Sequence, residues 1–225
     1  MKSCSGNLII ISIQYLVSLL PFFLFLRHAQ ATNNVHRILA GRSTGYPLTD
    51  LGAQQAEKIG DFLKPLSISR IYSSPIERAE QTAKIVSTKI GLDYNVDERL
   101  TEIDMGVFSG MFYDEMFAKH GNIFLKFYQE NPIVEKNGIE PFATVKKRVL
   151  DMINHCSRKH NGENILFVTH MDPIKSILST VLQLKSESLY ELIIRNASLT
   201  ILKNEQSNLS VVAINSMCSE RYSQE

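Results

Sequence analysis

Two apolar runs that each end in a histidine constrain this chain more than any other feature. The first run, Phe22–Leu26, is followed by Arg27 and His28. The second run, Ile165–Thr169, is followed by His170. Short apolar runs of this kind predict buried strands, and open α/β sheets build their sites where such strands end. Two histidines placed at the ends of strands, one of them next to an arginine, predict an active site that binds an anion.

The rest of the chain alternates predicted strands and helices, which indicates an α/β fold with a mostly parallel sheet. Further strands are expected at 68–72 and 94–96, and an antiparallel hairpin at 198–203 and 209–214. Helices are expected at 50–64, 75–89, 111–129, 142–160 and 173–184. We expect irregular loops at 30–47 and 100–110, and a linker or lid boundary at 131–141.

Composition excludes several classes of protein. A net charge of +1 without a basic stripe gives no reason to expect nucleic acid as a partner. Three scattered cysteines are too few for a disulfide framework or a zinc knuckle, and we read them as unreactive thiols of a reducing compartment. A hydrophobic content of 44% is ordinary for a globular protein.

The N-terminal 20 residues form an apolar extension ahead of a single predicted domain, 21–225, whose lid segment lies at about 107–141. The run Leu8–Leu20 is short for a membrane span of roughly 20 residues and suits a signal-type segment. Three interpretations stay open: a start codon placed too early, a membrane anchor, and a cryptic export signal. We expect a cytoplasmic protein, or a membrane-anchored one if residues 1–20 are native.

Arg78 is a second candidate for anion binding. It lies in the first turn of the predicted helix that follows strand 68–72, and so at the same edge of the sheet as His28. A neutral imidazole is a nucleophile toward phosphorus, and a guanidinium grips phosphate oxygens with its planar fork. Taken alone, an Arg-His pair after a strand is more often a surface pair, and Arg78 is also typical of a solvated helix arginine with weak surface ion pairs.

Five motifs, in this order along the chain, together resemble the histidine phosphatase superfamily, the phosphoglycerate mutase-like proteins. They are Leu26-Arg27-His28-Ala29-Gln30, Pro47-Leu48-Thr49-x-x-Gly52-x-x-Gln55-Ala56, Ser73-Ser74-Pro75-x-x-Arg78-Ala79-x-x-Thr82-Ala83, Leu100-x-Glu102-x-x-x-Gly106 and Val168-Thr169-His170. The resemblance covers about residues 22–214. It implies a three-layer α/β/α sandwich with a mostly parallel central sheet, an antiparallel edge strand and a helical lid insertion.

The resemblance also implies roles for individual residues. His28 matches the nucleophile that becomes phosphohistidine, and Glu102 matches the acid that protonates the leaving oxygen and then activates water. The cationic pocket around the phosphoryl group is matched by Arg27, Arg78 and His170. Such a pocket stabilises the charge of a phosphoryl group in flight without a metal or cofactor.

Two assignments that follow from the resemblance, those of Asn34 and Glu102, each have an alternative residue close by. Asn34 falls where the family often places a phosphate-binding asparagine, but Asn33 is adjacent. Asp104, two residues from Glu102, is the alternative acid. His28 must also stay neutral at its attacking nitrogen, so its other nitrogen needs a fixed acceptor, which the sequence does not identify.

Departures from the family pattern occur after both histidines, where Ala29 and Met171 replace the usual glycines. We expect Met171 to be strained only if its backbone is left-handed.

The remaining histidines are read as surface or loop residues: His36, His120, His155 and His160. Arg37 and Arg42 are candidates for a contact with a distal anion of the substrate. An aromatic and methionine-rich group is read mainly as packing, with Phe112 or Tyr128 as candidate walls of the cleft: Met111, Phe112, Met116, Phe124, Phe127 and Tyr128.

The predicted activity is that of a metal-independent phosphomonoesterase acting on a small phosphorylated metabolite. A phosphoglycerate mutase-type isomerase is the alternative. It is disfavoured because 111–140 carries only three basic residues for a substrate carboxylate, namely Lys119, Lys126 and Lys136. A metal-dependent hydrolase, which would use His28, His170, Asp104 and Asp172, also stays open, as does a non-catalytic member of the fold. Neither the substrate nor the oligomeric state is readable from the sequence.

Overall fold

The computed structural model describes residues 21–205 and 208–216. Its six strands form one sheet in the order β3-β2-β4-β1-β5-β6. The strands are β1 (Phe22–Arg27), β2 (Ile68–Ser73), β3 (Tyr94–Val96), β4 (Asn164–Thr169), β5 (Leu199–Glu205) and β6 (Asn208–Ser216). The first four are parallel to one another, and β5 runs antiparallel to both β1 and β6. This arrangement confirms the mostly parallel sheet and the late hairpin.

The described part of the chain contains nine α-helices. They are α1 (Thr32–Val35), α2 (Asp50–Leu63), α3 (Glu77–Ile90), α4 (Tyr113–His120), α5 (Ile123–Tyr128), α6 (Ile133–Lys136), α7 (Phe142–Lys159), α8 (Met171–Leu182) and α9 (Ser186–Glu191). Short 3-10 turns cover Lys64–Leu66, Glu98–Leu100 and Gly106–Phe108.

Alternating side chains of β1 divide the core into two layers. Phe23 and Phe25 pack in one apolar cluster with α7, α8 and the lid helices α4 and α5. Phe22, Leu24 and Leu26 pack in the other cluster with α2 and α3. Because successive strand residues point to opposite faces, helices cover both faces of the sheet. The predicted three-layer sandwich is confirmed, and burial of each phenylalanine contributes about 1.5–3 kcal/mol.

Helix α2 begins as its sequence predicts. The hydroxyl of Thr49 caps it by accepting from the backbone N–H of Gly52. No larger residue fits at Gly52 without a shift of the backbone, because a Cβ there would lie 2.0 Å from the carbonyl oxygen of Gln30. The helix is thereby packed against the chain directly after His28.

Several predicted bounds differ from the structure. The single helix expected at 111–129 is two helices, because Gly121 at φ +70° interrupts it. Pro75 does not lie in the helix, since the extended Ile76 is the N-cap and α3 begins at Glu77. The loop 30–47 contains the one-turn helix α1, and α9 was not predicted.

The predicted extension 1–20 lies outside the described residues, as do Cys4 and Cys218. Among the described residues, no helix has the length and apolar character that a membrane crossing requires. Membrane association through 1–20 and the compartment therefore stay predictions. Cys156 is buried, and burial raises the pKa of its thiol to about 11.

Candidate active site

The carboxyl ends of three parallel strands converge on one point. After β1 ends, the backbone N–H of His28 donates to the carbonyl oxygen of Thr169, at 2.9 Å. After β2 ends, the N–H of Ser74 donates to the carbonyl of Val168, also at 2.9 Å. His170 follows β4, and its ring centroid lies 5.1 Å from that of His28. The sheet register therefore brings together the two histidines that the sequence analysis singled out.

The ring of His28 is held by both nitrogens. Nδ1 lies 2.8 Å from the carbonyl oxygen of Ala29, and a carbonyl can only accept, so we assign the proton to Nδ1. Nε2 then carries the lone pair and accepts from Nε of Arg78 at 3.2 Å. Burial, followed by the charges of Arg78 and Arg27, lowers the pKa of His28 well below its usual value. The imidazole is therefore neutral at physiological pH and presents Nε2 to the cavity.

Arg78 lies in the first turn of α3 and is buried. Its Nη2 donates to the carbonyl of Gly41 at 2.8 Å, while Nη1 is buried without a hydrogen-bond partner in the described part of the chain. Burial lowers the pKa of Arg78 to about 10, and the carboxyl of Glu102 opposes that shift. The guanidinium thus stays charged at neutral pH and keeps donor capacity for an anion.

Arg27 is half-buried and reaches the same cavity, with its Nη1 donating to the carbonyl of Ile194. His170 is fully buried behind this group, and Nε2 of its ring lies 2.8 Å from the hydroxyl of Ser74. Its Nδ1 has no hydrogen-bond partner among the described residues. Burial, then Arg78 and His28, lowers its pKa well below the usual value, so His170 is a neutral group rather than a cation here.

Glu102 faces this cationic group from the loop after the Glu98–Leu100 turn. Its Oε1 accepts from the N–H of Ile103 at 3.0 Å. Burial, followed by the negative charge of Asp172, raises the pKa of Glu102 to about 7, against the opposing charges of Arg78 and Arg27. A carboxyl with this pKa exists in both protonation states near neutrality, which suits both an acid and a base.

A cavity of about 390 Å³ lies beside this group, and His170, predicted as part of the phosphate pocket, does not line it. Arg27, His28, Arg78 and Glu102 lie at its polar part. Its remaining wall is largely apolar or aromatic, as in most small-molecule sites, and includes Ile38, Leu39, Met105, Tyr113, Phe124, Met171, Tyr190 and Leu192. The arrangement fits a phosphate ester, with the phosphoryl group against His28 and the alcohol part against the apolar wall.

A sequence model of the histidine phosphatase superfamily (branch 1) matches residues 23–217. The chain belongs to this superfamily. It is 34% identical over 198 residues to a 2,3-bisphosphoglycerate-dependent phosphoglycerate mutase of Thermoplasma acidophilum, covering 86% of this chain and 92% of that protein. It is 31% identical over 199 residues to putative phosphoserine phosphatase 2 of Hydrogenobacter thermophilus, covering 87% and 95%. The solved structure of YhfR from Bacillus stearothermophilus is 28% identical, with a TM-score of 0.79 over 88% of this chain and 98% of that one.

The departures from the superfamily pattern cause no backbone strain. Ala29 and Met171 both have negative φ, so neither needs the freedom of glycine. Ala29 is fully buried, and its N–H donates to the hydroxyl of Thr82 at 3.1 Å. Met171 is the first residue of α8.

Asn34 lies at the cavity, as does Asn33. Oδ1 of Asn34 accepts from the N–H of Ala31 and from the amide of Asn196, at 2.9 and 3.2 Å. Its Nδ2 makes no hydrogen bond to the described residues and so can donate to a ligand. Asn33 instead points its Nδ2 at the carbonyl of Ile38, at 3.5 Å. Asn34 is therefore the better placed of the two.

The rival acid Asp104 does not line the cavity, and its Oδ1 accepts from the N–H of Gly106 at 2.9 Å. Asp104 is also one of the four residues of the metal-site hypothesis, and it lies away from the cavity that His28 and Asp172 line. Within the described residues, no three His, Cys, Asp or Glu side chains are grouped so that they could hold a metal ion.

Sequence reasoning missed a buried chain of three side chains at the cavity. The hydroxyl of Tyr128 donates to Asp172 at 2.6 Å and accepts from the ammonium of Lys175 at 3.0 Å. Asp172 and Lys175 are one turn apart on α8, and this spacing was the available signal. Tyr128 does form part of the cavity wall, as one interpretation expected, whereas Phe112 does not.

The predictions for three other residues, His160, Arg37 and Arg42, agree with the structure only in part. His160, predicted as a surface or loop residue, lies in the loop after α7 but is buried, with Nε2 2.9 Å from the hydroxyl of Tyr72. Arg37 lines the cavity but forms an exposed pair with Asp114 at 2.7 Å. Arg42 does not line it, and donates instead to the backbone of Glu102.

Proposed function

We propose that this chain is a metal-independent phosphomonoesterase that transfers the phosphoryl group of a small phosphorylated metabolite to His28 and then to water. The observation that carries the proposal is the orientation of His28, whose Nδ1 is tied to the carbonyl of Ala29 while Nε2 faces the cavity beside Arg78. Its ligand is the phosphorylated metabolite, and no nucleic-acid partner is proposed.

In the first step, the lone pair on Nε2 of His28 attacks phosphorus and the bond to the ester oxygen breaks. The electron pair leaves with that oxygen, which takes the proton from Glu102. Nδ1 stays protonated, and the carbonyl of Ala29 stabilises the charge that the phosphorylated ring gains. Arg27 and Arg78 stabilise the charge on the phosphoryl oxygens, and the free Nη1 of Arg78 is a further donor to them.

In the second step, water attacks the phosphorus of phosphohistidine. The Glu102 carboxylate takes a proton from this water, and the phosphorus–nitrogen bond breaks with its electron pair returning to Nε2. Glu102 ends the cycle protonated and His28 ends it neutral, as both began. The pKa of about 7 lets the same carboxyl serve as acid and then as base.

The positions of basic residues in the lid favour hydrolysis over isomerisation. None of the three lid lysines lines the cavity: Lys119, Lys126 and Lys136. Lys119 pairs with Glu115 at 2.7 Å, and Lys126 donates to the carbonyl of His120 at 3.4 Å. Mutase activity, which one relative is named for, is the second candidate. Its two phosphoryl transfers would use the same four residues: Arg27, His28, Arg78 and Glu102.

A panel of phosphorylated metabolites separates the two candidates. Phosphate release is measured for each compound, with and without a chelator, and 3-phosphoglycerate is also checked for its 2-isomer. The proposal predicts phosphate release that a chelator does not reduce and that His28→Ala abolishes. Isomerisation faster than phosphate release would favour the mutase, and no turnover of any phosphate ester would contradict both.

A further inference from the structure

Two arginines outside the cavity converge on the backbone of Glu102. Nε of Arg42 donates to the carbonyl oxygen of Glu102 at 3.0 Å, and Nη2 of Arg148 approaches the same oxygen at 3.3 Å. Nη1 of Arg148 also donates to the carbonyls of Arg99 and Thr101, at 2.8 and 2.7 Å. The segment that leads into Glu102 is thus held at three carbonyls by side chains from elsewhere in the fold.

Glu140 links the two arginines. Its Oε1 accepts from Nε of Arg148 at 2.9 Å, and its Oε2 accepts from Nη2 of Arg148 and from Nη2 of Arg42, at 3.0 and 2.9 Å. The side chains of Glu140 and Arg148 are only 9% and 14% exposed. A shielded, two-point arginine–carboxylate contact is stronger and more directional than a surface ion pair.

The three linked residues come from separate parts of the fold. Arg42 lies in the loop after α1, Glu140 lies between α6 and α7, and Arg148 lies on α7. The N–H of Glu140 also donates to the carbonyl of Asp104, two residues beyond Glu102, at 3.0 Å. The backbone is therefore held on both sides of Glu102, while its carboxyl remains at the cavity.

We propose that Arg42, Glu140 and Arg148 are positioning residues that set the place of the Glu102 carboxyl and thereby its proton transfer to the leaving oxygen. The inference rests on the proposed function. None of the three lines the cavity, so they act through Glu102 rather than on the substrate. Proton transfer needs hydrogen-bond distance, and small displacements of a reacting group cost large factors in rate.

The test compares leaving groups. An alkyl phosphate needs a proton on its departing oxygen, whereas p-nitrophenyl phosphate releases a stable anion without one. The ratio of kcat/KM for these two substrates therefore reports proton donation, and kcat/KM excludes the later hydrolysis of phosphohistidine. Glu102→Gln sets the largest change in this ratio, on the order of 100-fold or more.

Arg42→Gln is the main variant, because Arg42 is partly exposed and its loss should leave the fold intact. We expect kcat/KM for the alkyl phosphate to fall about tenfold, which is part of the loss expected when the general acid is removed altogether. For the aryl phosphate, kcat/KM should change less than about twofold. Added to Glu102→Gln, the same change should leave the ratio unaltered, since residues that act through one another are not additive. Arg148→Lys, which keeps the charge but loses the fork, should behave like Arg42→Gln.

Arg70→Gln is the matched control. Arg70 is as exposed as Arg42 and pairs with Glu163 at 2.7 Å, and neither residue lines the cavity. Its ratio should equal that of the wild type. Equal losses on both substrates in Arg42→Gln, or no loss on either, would overturn the positioning role. Activity that survives His28→Ala would instead contradict the proposed function, so the two failures are distinguishable.

Discussion

Nδ1 of His28 lies 2.8 Å from the carbonyl oxygen of the next residue, Ala29. A contact between neighbours in the chain is made as soon as β1 ends, and it needs no partner from elsewhere in the fold. It answers the question that the sequence left open, namely which acceptor holds the second nitrogen of the proposed nucleophile. The remaining nitrogen is directed at Arg78 and the cavity.

Arg78→Lys tests the guanidinium fork, since it keeps the charge. The lysine cannot contact His28, Gly41 and a phosphoryl oxygen together, as the three arms of Arg78 are placed to do. We expect kcat/KM for phosphate esters to fall about 100- to 1,000-fold, the usual effect of removing one preorganised donor. Arg70→Lys, at an exposed pair, should leave kcat/KM unchanged, and equal values for the two variants would contradict the role of Arg78.

Asp172→Asn tests the electrostatic control of Glu102. The charge of Asp172 raises the pKa of Glu102, so its removal should lower that pKa from about 7 toward the ordinary range. Since the protonated carboxyl is the proposed acid, kcat/KM for an alkyl phosphate should decline with rising pH at a lower pH than in the wild type. The pH profile measures this shift. Asp61→Asn, at an exposed pair with Lys64, should not move the profile, and an unmoved profile in Asp172→Asn would refute the coupling.

His170→Asn tests the neutral, buried state of His170. The pKa of His170 is lowered in the folded protein, so below about pH 6.5 only the unfolded chain binds this proton, and acidification favours unfolding. The free energy of unfolding of the wild type should fall by up to about 1.4 kcal/mol per pH unit from this group alone. Urea titrations between pH 7 and pH 5 should show a shallower fall in the variant. Parallel curves would mean that His170 binds its proton in the folded protein as readily as in the unfolded chain, which contradicts the lowered pKa.

Gly52→Ala tests the close packing of α2 on the chain that follows His28. The added Cβ would meet the carbonyl of Gln30 at 2.0 Å, and a backbone atom cannot move aside cheaply. We expect a loss of about 3 kcal/mol in the free energy of unfolding, the upper part of the range for overpacking. Gly91 has open space around an added Cβ, so Gly91→Ala meets only the cost of a left-handed backbone. Its loss in the free energy of unfolding should be about 1 kcal/mol. Denaturant unfolding compares them, and equal losses would contradict the packing argument.

The sheet and the strand-end residues could be predicted because local patterns encode them. Phe22–Leu26 and Ile165–Thr169 are apolar runs, and the residues after them fall at one edge of any parallel sheet. The break at Gly121 was missed because the aromatic residues around it continue a helical pattern across it. A single glycine inside a helical pattern is a weak signal of such a break.

The missed parts of the site depend on contacts between distant residues. Tyr128 meets Asp172 across 44 positions, and Arg148 meets the carbonyl of Glu102 across 46. By its sequence context alone, Tyr128 is equally typical of a packing residue and Arg148 of a solvated helix charge. Only the docking of α5 against α8, and of α7 against the Glu102 loop, gives these side chains their partners.

The most direct test of the proposed chemistry is to find where the phosphoryl group resides during turnover. Enzyme mixed with a labelled substrate is quenched in base, and the label is located by mass spectrometry and its stability in acid. We expect one phosphoryl group on Nε2 of His28, stable in base, lost in acid and absent from His28→Ala. A label on a carboxylate or hydroxyl, or steady turnover by His28→Ala, would contradict phosphoryl transfer through His28.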